Sequence, residues 1–142
     1  MHRVLLVEDN PGDIQLTKIA FEESGLNVRL ETVSSYREAR QLLALLRAAP
    51  VEQRPDLILL DLNLVDGSGH DLLAYLKQQP SLADIPVVIV TTSDYPQDRA
   101  RSAALGAADY VVKPNSFDRF VEILRSLAPL FSNAGRPRGL FD

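Results

Sequence analysis

The sequence predicts an α/β fold in which a five-stranded parallel sheet carries helices on both faces. Three observations lead to it. Five strand-like segments, at residues 4–7, 28–33, 57–60, 85–90 and 109–112, are spaced along the chain, and most are aliphatic runs too short for a helix. Segments with apolar residues at helical spacing follow each of them. Gly or Pro punctuates most of the junctions. Alternation of strand and helix calls for right-handed crossovers and leaves the inner strands buried on both sides.

Taken in order, Val4, Leu5, Leu6 and Val7 make the first strand, which ends at Glu8 and Asp9. Asn10 suits an N-cap and Pro11 the first helical position, so a helix follows, with Leu16, Ile19 and Ala20 recurring at helical spacing and Gly25 as its stop. Residues 28–33 alternate as a strand does. Ser35 and Glu38 form a capping box ahead of a stripe made by Ala39, Leu42, Leu43 and Leu46. Pro50 and Pro55 bracket the loop into the central strand, Leu57 to Leu60, which stops at Asp61 and enters a loop containing Gly67 and Gly69. Leu72, Leu73 and Leu76 give one face of the next helix, closed by Pro80. The fourth strand ends in Thr91, Thr92, Ser93 and Asp94, after which Pro96 starts a helix that Gly106 ends. The fifth strand, at 109–112, is stopped by Lys113 and Pro114; Phe117, Phe120, Leu124 and Leu127 line the last helix, which Pro129 breaks. The domain is therefore expected at 1–129, with 130–142 as a flexible tail whose Leu130, Phe131, Leu140 and Phe141 offer apolar groups to a partner or a second copy.

Composition narrows the function classes. The chain has 142 residues, 46% hydrophobic and 24% charged, with a net charge of −4, as an ordinary soluble domain does. No basic stripe is present to neutralise nucleic-acid phosphates. The absence of cysteine excludes disulfides and thiolate metal sites. No apolar run approaches transmembrane length, and Met1, His2 and Arg3 lead directly into the first strand without room for a signal peptide, so the cytoplasm is the expected location.

Parallel strands all point one way, so the residues ending strands one, three, four and five converge on one edge of the sheet, where such folds bind ligands. Those residues are Glu8 and Asp9, Asp61, Thr91, and Lys113. Neighbouring carboxylates raise one another's pKa unless a cation sits among them. Hard oxygen ligands without nearby His or Cys point to Mg²⁺, with Mn²⁺ as the alternative. An ionised Asp61 is then placed to attack phosphorus as a nucleophile, with Thr91 hydrogen-bonding one phosphoryl oxygen and Lys113 neutralising another.

With those residues identified, the chain resembles the receiver domain of bacterial response regulators, the CheY-like family, from Arg3 to about Leu127. The match rests on V-E-D near the amino end, L-L-D-L-N-L followed by Gly in the centre, V-T-T-S after the fourth strand and Y-V-V-K-P after the fifth. The resemblance implies a flavodoxin-like, doubly wound sheet of order 2-1-3-4-5 with five helices. It implies Asp61 as phosphoacceptor, Asp9 as a direct metal ligand, Glu8 as a ligand through water, and the Asn63 backbone carbonyl as a further ligand. Thr91 is similar to the family's switch hydroxyl and Tyr110 to its aromatic switch residue, and the family also implies a cis Lys113–Pro114 bond. The phosphodonor would be a sensor histidine kinase or a histidine phosphotransfer protein. L-D-L-N-L with T-T-S, and the long stretch at 39–55, resemble phytochrome-associated single-domain regulators, which would make the kinase a bacteriophytochrome and allow a homodimer.

Two positions depart from the family pattern. Val65 stands where Pro is usual, which is expected to loosen the loop, and Thr92 stands where Ala or Gly is common, which is expected to narrow access to the phosphoryl group. His2 and His70 are read as surface residues without chemistry. A haloacid-dehalogenase-type phosphatase would need a second Asp two residues after Asp61, where this chain has Asn63. A flavin mononucleotide carrier would not put Glu8 and Asp9 in its phosphate loop. A degenerate receiver would lack one of the five key side chains. The reading is a stand-alone phosphoacceptor that signals through protein contacts and is not a turnover enzyme, although it carries self-phosphorylation and autodephosphorylation chemistry.

Overall fold

A computed structural model describes residues 1–132 of the chain. In order, its elements are β1 (His2–Val7), α1 (Pro11–Ser24), β2 (Val28–Val33), α2 (Tyr36–Leu46), a 3₁₀ turn (Val51–Gln53) and β3 (Leu57–Leu60). A hairpin of β4 (Asn63–Leu64) and β5 (Gly67–Ser68) follows, then α3 (Gly69–Gln78), β6 (Val87–Thr91), α4 (Pro96–Ala104), β7 (Asp109–Val112), α5 (Phe117–Ser126) and α6 (Ala128–Ser132). The main sheet has order β2-β1-β3-β6-β7 with every pair parallel. This is the predicted 2-1-3-4-5 order, since the hairpin strands pair only with each other.

The four residues of β3 are fully buried, and they alternate between two cores. Leu57 and Leu59 join Phe21, Phe120, Val121 and Leu124 beneath α1 and α5, while Ile58 and Leu60 join Leu43, Leu72, Leu73 and Leu76 beneath α2 and α3. Each such side chain contributes roughly 2 kcal/mol relative to exposure, which fixes this strand, and the residue that ends it, at the centre of the sheet. Strands β2 and β7 are the edges, and none of the residues of β2 is fully buried.

Four expectations need correction. The buried face of α1 is Thr17, Ala20, Phe21 and Ser24, so Leu16 and Ile19 are exposed. Apolar residues lie all around this helix, and the pattern alone does not say which stripe meets the sheet. Pro129 ends α5 but sits inside α6, where a proline near a helix start loses no hydrogen bond; Phe131 is buried against the His2 ring rather than free in a tail. Leu140 and Phe141 lie outside the described residues. Among the described residues no peptide bond is cis, so Lys113–Pro114 is trans, the form that X–Pro bonds favour by about 0.5–1 kcal/mol. His70 is buried, where its Nε2 lies 2.8 Å from Ser102 Oγ across the gap between α3 and α4. Burial, reinforced by the charge of Arg101, lowers its pKa. No helix among the described residues is long and apolar enough to cross a membrane.

Candidate functional site

The carboxyl edge of the sheet gathers the side chains that the sequence singled out. Strand β1 delivers Glu8, whose backbone N–H still bonds to Val33 O at 3.1 Å, so the residue is held as an extension of the strand and its side chain is buried. Strand β3 delivers Asp61, registered in the same way by its N–H on Val7 O at 3.1 Å. Lys113 donates its own N–H to Thr91 O at 2.7 Å and sends its ammonium across the edge.

That ammonium is the hub of the site. Lys113 Nζ donates to Glu8 Oε1 at 2.7 Å, to Asp13 Oδ2 at 2.8 Å and to Asp61 Oδ2 at 3.3 Å. Glu8, Asp9 and Asp61 each bring one carboxylate oxygen to within 4.8 Å of the others. Four carboxylates, Glu8, Asp9, Asp13 and Asp61, around one ammonium leave an excess of negative charge in a partly dry pocket. Burial pushes the Glu8 carboxyl up to about 7 and the charge of Asp61 adds to this, while the hydrogen bond from Lys113 works against it. Burial disfavours the Lys113 ammonium, but its hydrogen bonds to Asp13 and Glu8 and the charges of Asp61 and Glu8 outweigh that cost and raise its pKa. A hard divalent cation fits this donor set, because it would supply the positive charge that one lysine cannot.

The loop after Asp61 is pinned from several sides. Asn63 N donates to Asp61 Oδ1 at 3.2 Å, and Val65 N donates to Asp9 Oδ2 at 2.7 Å. Asp66 caps the start of α2 by accepting from Tyr36 N at 2.7 Å and Arg37 N at 3.0 Å. Gly67 packs so close to Tyr36 that an added Cβ would lie 2.6 Å from the ring, and at Gly69 it would run into the Asp61 carbonyl oxygen. The expectation that Val65 loosens this loop is therefore corrected: unlike proline, valine has an N–H, and that N–H ties the loop to Asp9.

Thr91 is fully buried at the end of β6, and its Oγ1 accepts from Ser93 N at 3.3 Å. Tyr110 is buried as well. Its hydroxyl donates to Ser93 O at 2.8 Å, and the Arg99 guanidinium lies 4.6 Å from its ring centre. Thr92 is exposed beside them. Sequence reading missed Asp13, the third residue of α1, which looks like an acid serving the helix dipole. The available signal was its place in the first turn of the helix that starts at the same sheet edge.

The response regulator receiver domain family matches residues 4–125. The chain belongs to that family. It is 37% identical over 123 residues to the polar-differentiation response regulator DivK of Brucella anthropi, a match covering 87% of this chain and 93% of the relative. Its fold superposes on the phosphorylated cyanobacterial phytochrome response regulator RcpA with a TM-score of 0.80 at 32% identity, covering 96% of this chain and 98% of that one. The Mn²⁺-bound form of response regulator Rcp1 gives 0.74 at 30% identity, over 90% and 92% of the two chains. As a receiver domain, the protein belongs to phosphoryl-accepting signalling proteins of two-component systems, and its likeness to RcpA and Rcp1 supports the phytochrome-associated branch of the family.

Proposed function

We propose that this receiver takes a phosphoryl group on Asp61 from a phosphohistidine of a sensor kinase or a histidine phosphotransfer protein, with Mg²⁺ held by Glu8, Asp9, Asp61 and the Asn63 carbonyl. An Asp61 oxygen forms the new O–P bond as the donor's N–P bond breaks, and that electron pair returns to the imidazole nitrogen. The ion supplies charge neutralisation for the phosphoryl oxygens when bound. Lys113 neutralises a further oxygen, and Thr91 donates its hydroxyl to another. Mn²⁺ would serve in the same hard-oxygen site. The observation that carries this reading is Lys113 Nζ within 3.3 Å of Asp61 and 2.7 Å of Glu8 at the end of a fully buried strand.

Exposed Leu16 and Ile19 on α1 give the donor an apolar foothold near the site, since Leu16 lines the same cavity as Asp61 and Lys113. The likeness to RcpA makes a phytochrome kinase, acting in the cytoplasm, the favoured donor. Movement of Thr91 toward the phosphoryl group, transmitted through Ser93 to Tyr110 and α4, is the proposed output, read by protein contacts. Incubation with acetyl phosphate and Mg²⁺, followed by intact mass and hydroxylamine cleavage, tests it. Wild type gains one hydroxylamine-labile phosphoryl group and Asp61→Asn gains none; equal labelling of both moves the site elsewhere.

A further inference from the structure

Asp13 is unlike the other acids of the site. It is outside the cluster able to share a cation, which is Glu8, Asp9 and Asp61, yet its Oδ2 is 2.8 Å from the Lys113 ammonium, closer than Asp61 at 3.3 Å. Its backbone is fixed on both sides: Asp13 N donates to Asn10 Oδ1 at 3.0 Å, and Asp13 O accepts from Thr17 Oγ1 at 2.7 Å. The first turn of α1 thus fixes the backbone from which the carboxylate reaches Lys113. It borders, with Asp61, Lys113 and Pro114, a cavity of about 60 Å³, which gives the ammonium and a few waters room to rearrange.

An acid in the first turn of a helix ordinarily serves the helix dipole. Here it also meets a half-buried cation that, on the proposed function, serves the phosphoryl group. We propose that Asp13 is a positioning residue that shares the Lys113 ammonium with Glu8 and Asp61 in the unphosphorylated protein and competes with an incoming phosphoryl group for it. Two effects act in one direction. The ammonium must leave or share its bond to Asp13 when a phosphoryl oxygen arrives, and the Asp13 charge repels that oxygen. Asp13 therefore lowers the affinity of the site for a phosphoryl group and shortens the residence of the group on Asp61. The inference rests on the assignment of Asp61 as phosphoacceptor.

The test uses the whole chain with Mg²⁺ and beryllium fluoride, a non-covalent stand-in for the phosphoryl group, with affinity read by ¹⁹F NMR titration. Asp13→Asn keeps the shape and an acceptor oxygen but removes the charge, and should bind the probe roughly fivefold more tightly, the size of one partly screened charge. Asp13→Glu, which restores the charge, should return affinity toward wild type, and Glu23→Gln, an exposed acid elsewhere on α1, should leave it unchanged. In metal-free protein, the Lys113 ammonium protons should exchange with water faster in Asp13→Asn than in wild type. Equal or weaker probe binding by Asp13→Asn, or an equal gain in Glu23→Gln, overturns the proposal and leaves the phosphoacceptor assignment intact. Failure of wild type to bind the probe, or equal binding by Asp61→Asn, overturns both.

Discussion

Asp56 and Asp61 bracket the same strand, and both donate a backbone N–H to β1, to Arg3 O at 2.7 Å and to Val7 O at 3.1 Å. Their side chains do opposite things. At the amino end, Asp56 Oδ2 accepts from Arg3 N at 2.9 Å, with His2 Nδ1 3.8 Å away, so the carboxylate staples two strands together. At the carboxyl end, Asp61 has, among the described residues, a single backbone donor, Asn63 N at 3.2 Å, and otherwise faces acids and one lysine. The contrast teaches that the fold supplies backbone donors to one carboxylate and largely withholds them from the other. A carboxylate satisfied by backbone is a structural part, whereas one left among its own kind is stabilised in its charged form by a cation.

The sharpest way to break this comparison is to neutralise each acid in turn. Asp61→Asn should abolish labelling by acetyl phosphate, while Asp56→Asn should label at the wild-type rate, checked by intact mass over time. Asp56→Ala should cost about 1–2 kcal/mol, the worth of a partly exposed hydrogen bond to a charged acceptor, measured by urea denaturation. Gly69→Ala presses a methyl group on the Asp61 carbonyl and should cost about 1–3 kcal/mol, with slower phosphorylation because Asp61 itself is displaced.

Acidity gives a further test, confined to the carboxyl end. The Glu8 carboxyl titrates near 7 in the folded protein against 4.5 for the ordinary group. Between those values the native state keeps a proton that the unfolded chain has released, so this group makes metal-free stability fall as pH rises from about 4.5 to about 7, with no further change above. Thermal melts of Glu8→Gln should lose that slope. In wild type, Mg²⁺ should raise the melting temperature more at pH 8 than at pH 5.5, because at the lower pH the ion must displace the Glu8 proton. The smallest expected effect is at Thr92, which is exposed next to Thr91. Thr92→Ala should raise the rates of phosphoryl transfer and loss about twofold, the size of the ~0.5 kcal/mol typical of an exposed substitution, followed by decay of the radiolabelled form.

Much of the site was legible because each of Glu8, Asp9, Asp61, Thr91 and Lys113 follows an apolar run, and parallel strands carry their ends to one edge. The hairpin at 63–68 was not legible as strands, since two-residue pairings carry no periodicity. Asp13 was hidden for a different reason. Its partner is 100 residues away, and only the docking of α1 against the sheet turns its carboxylate toward Lys113. The same rotation of α1 exposes Leu16 and Ile19 in place of the face that spacing suggested.

The sequence by itself determined the strands, their parallel arrangement and the gathering of acids, hydroxyl and lysine at one edge, because burial patterns and chain punctuation are local and survive any choice of packing. Only the tertiary structure decided which carboxylate holds the lysine, that the Val65 amide holds Asp9, and that His70 is enclosed between α3 and α4. Those outcomes depend on helix rotation and loop closure to within an ångström or two, and hydrogen bonds between residues far apart in the chain are fixed by that geometry alone.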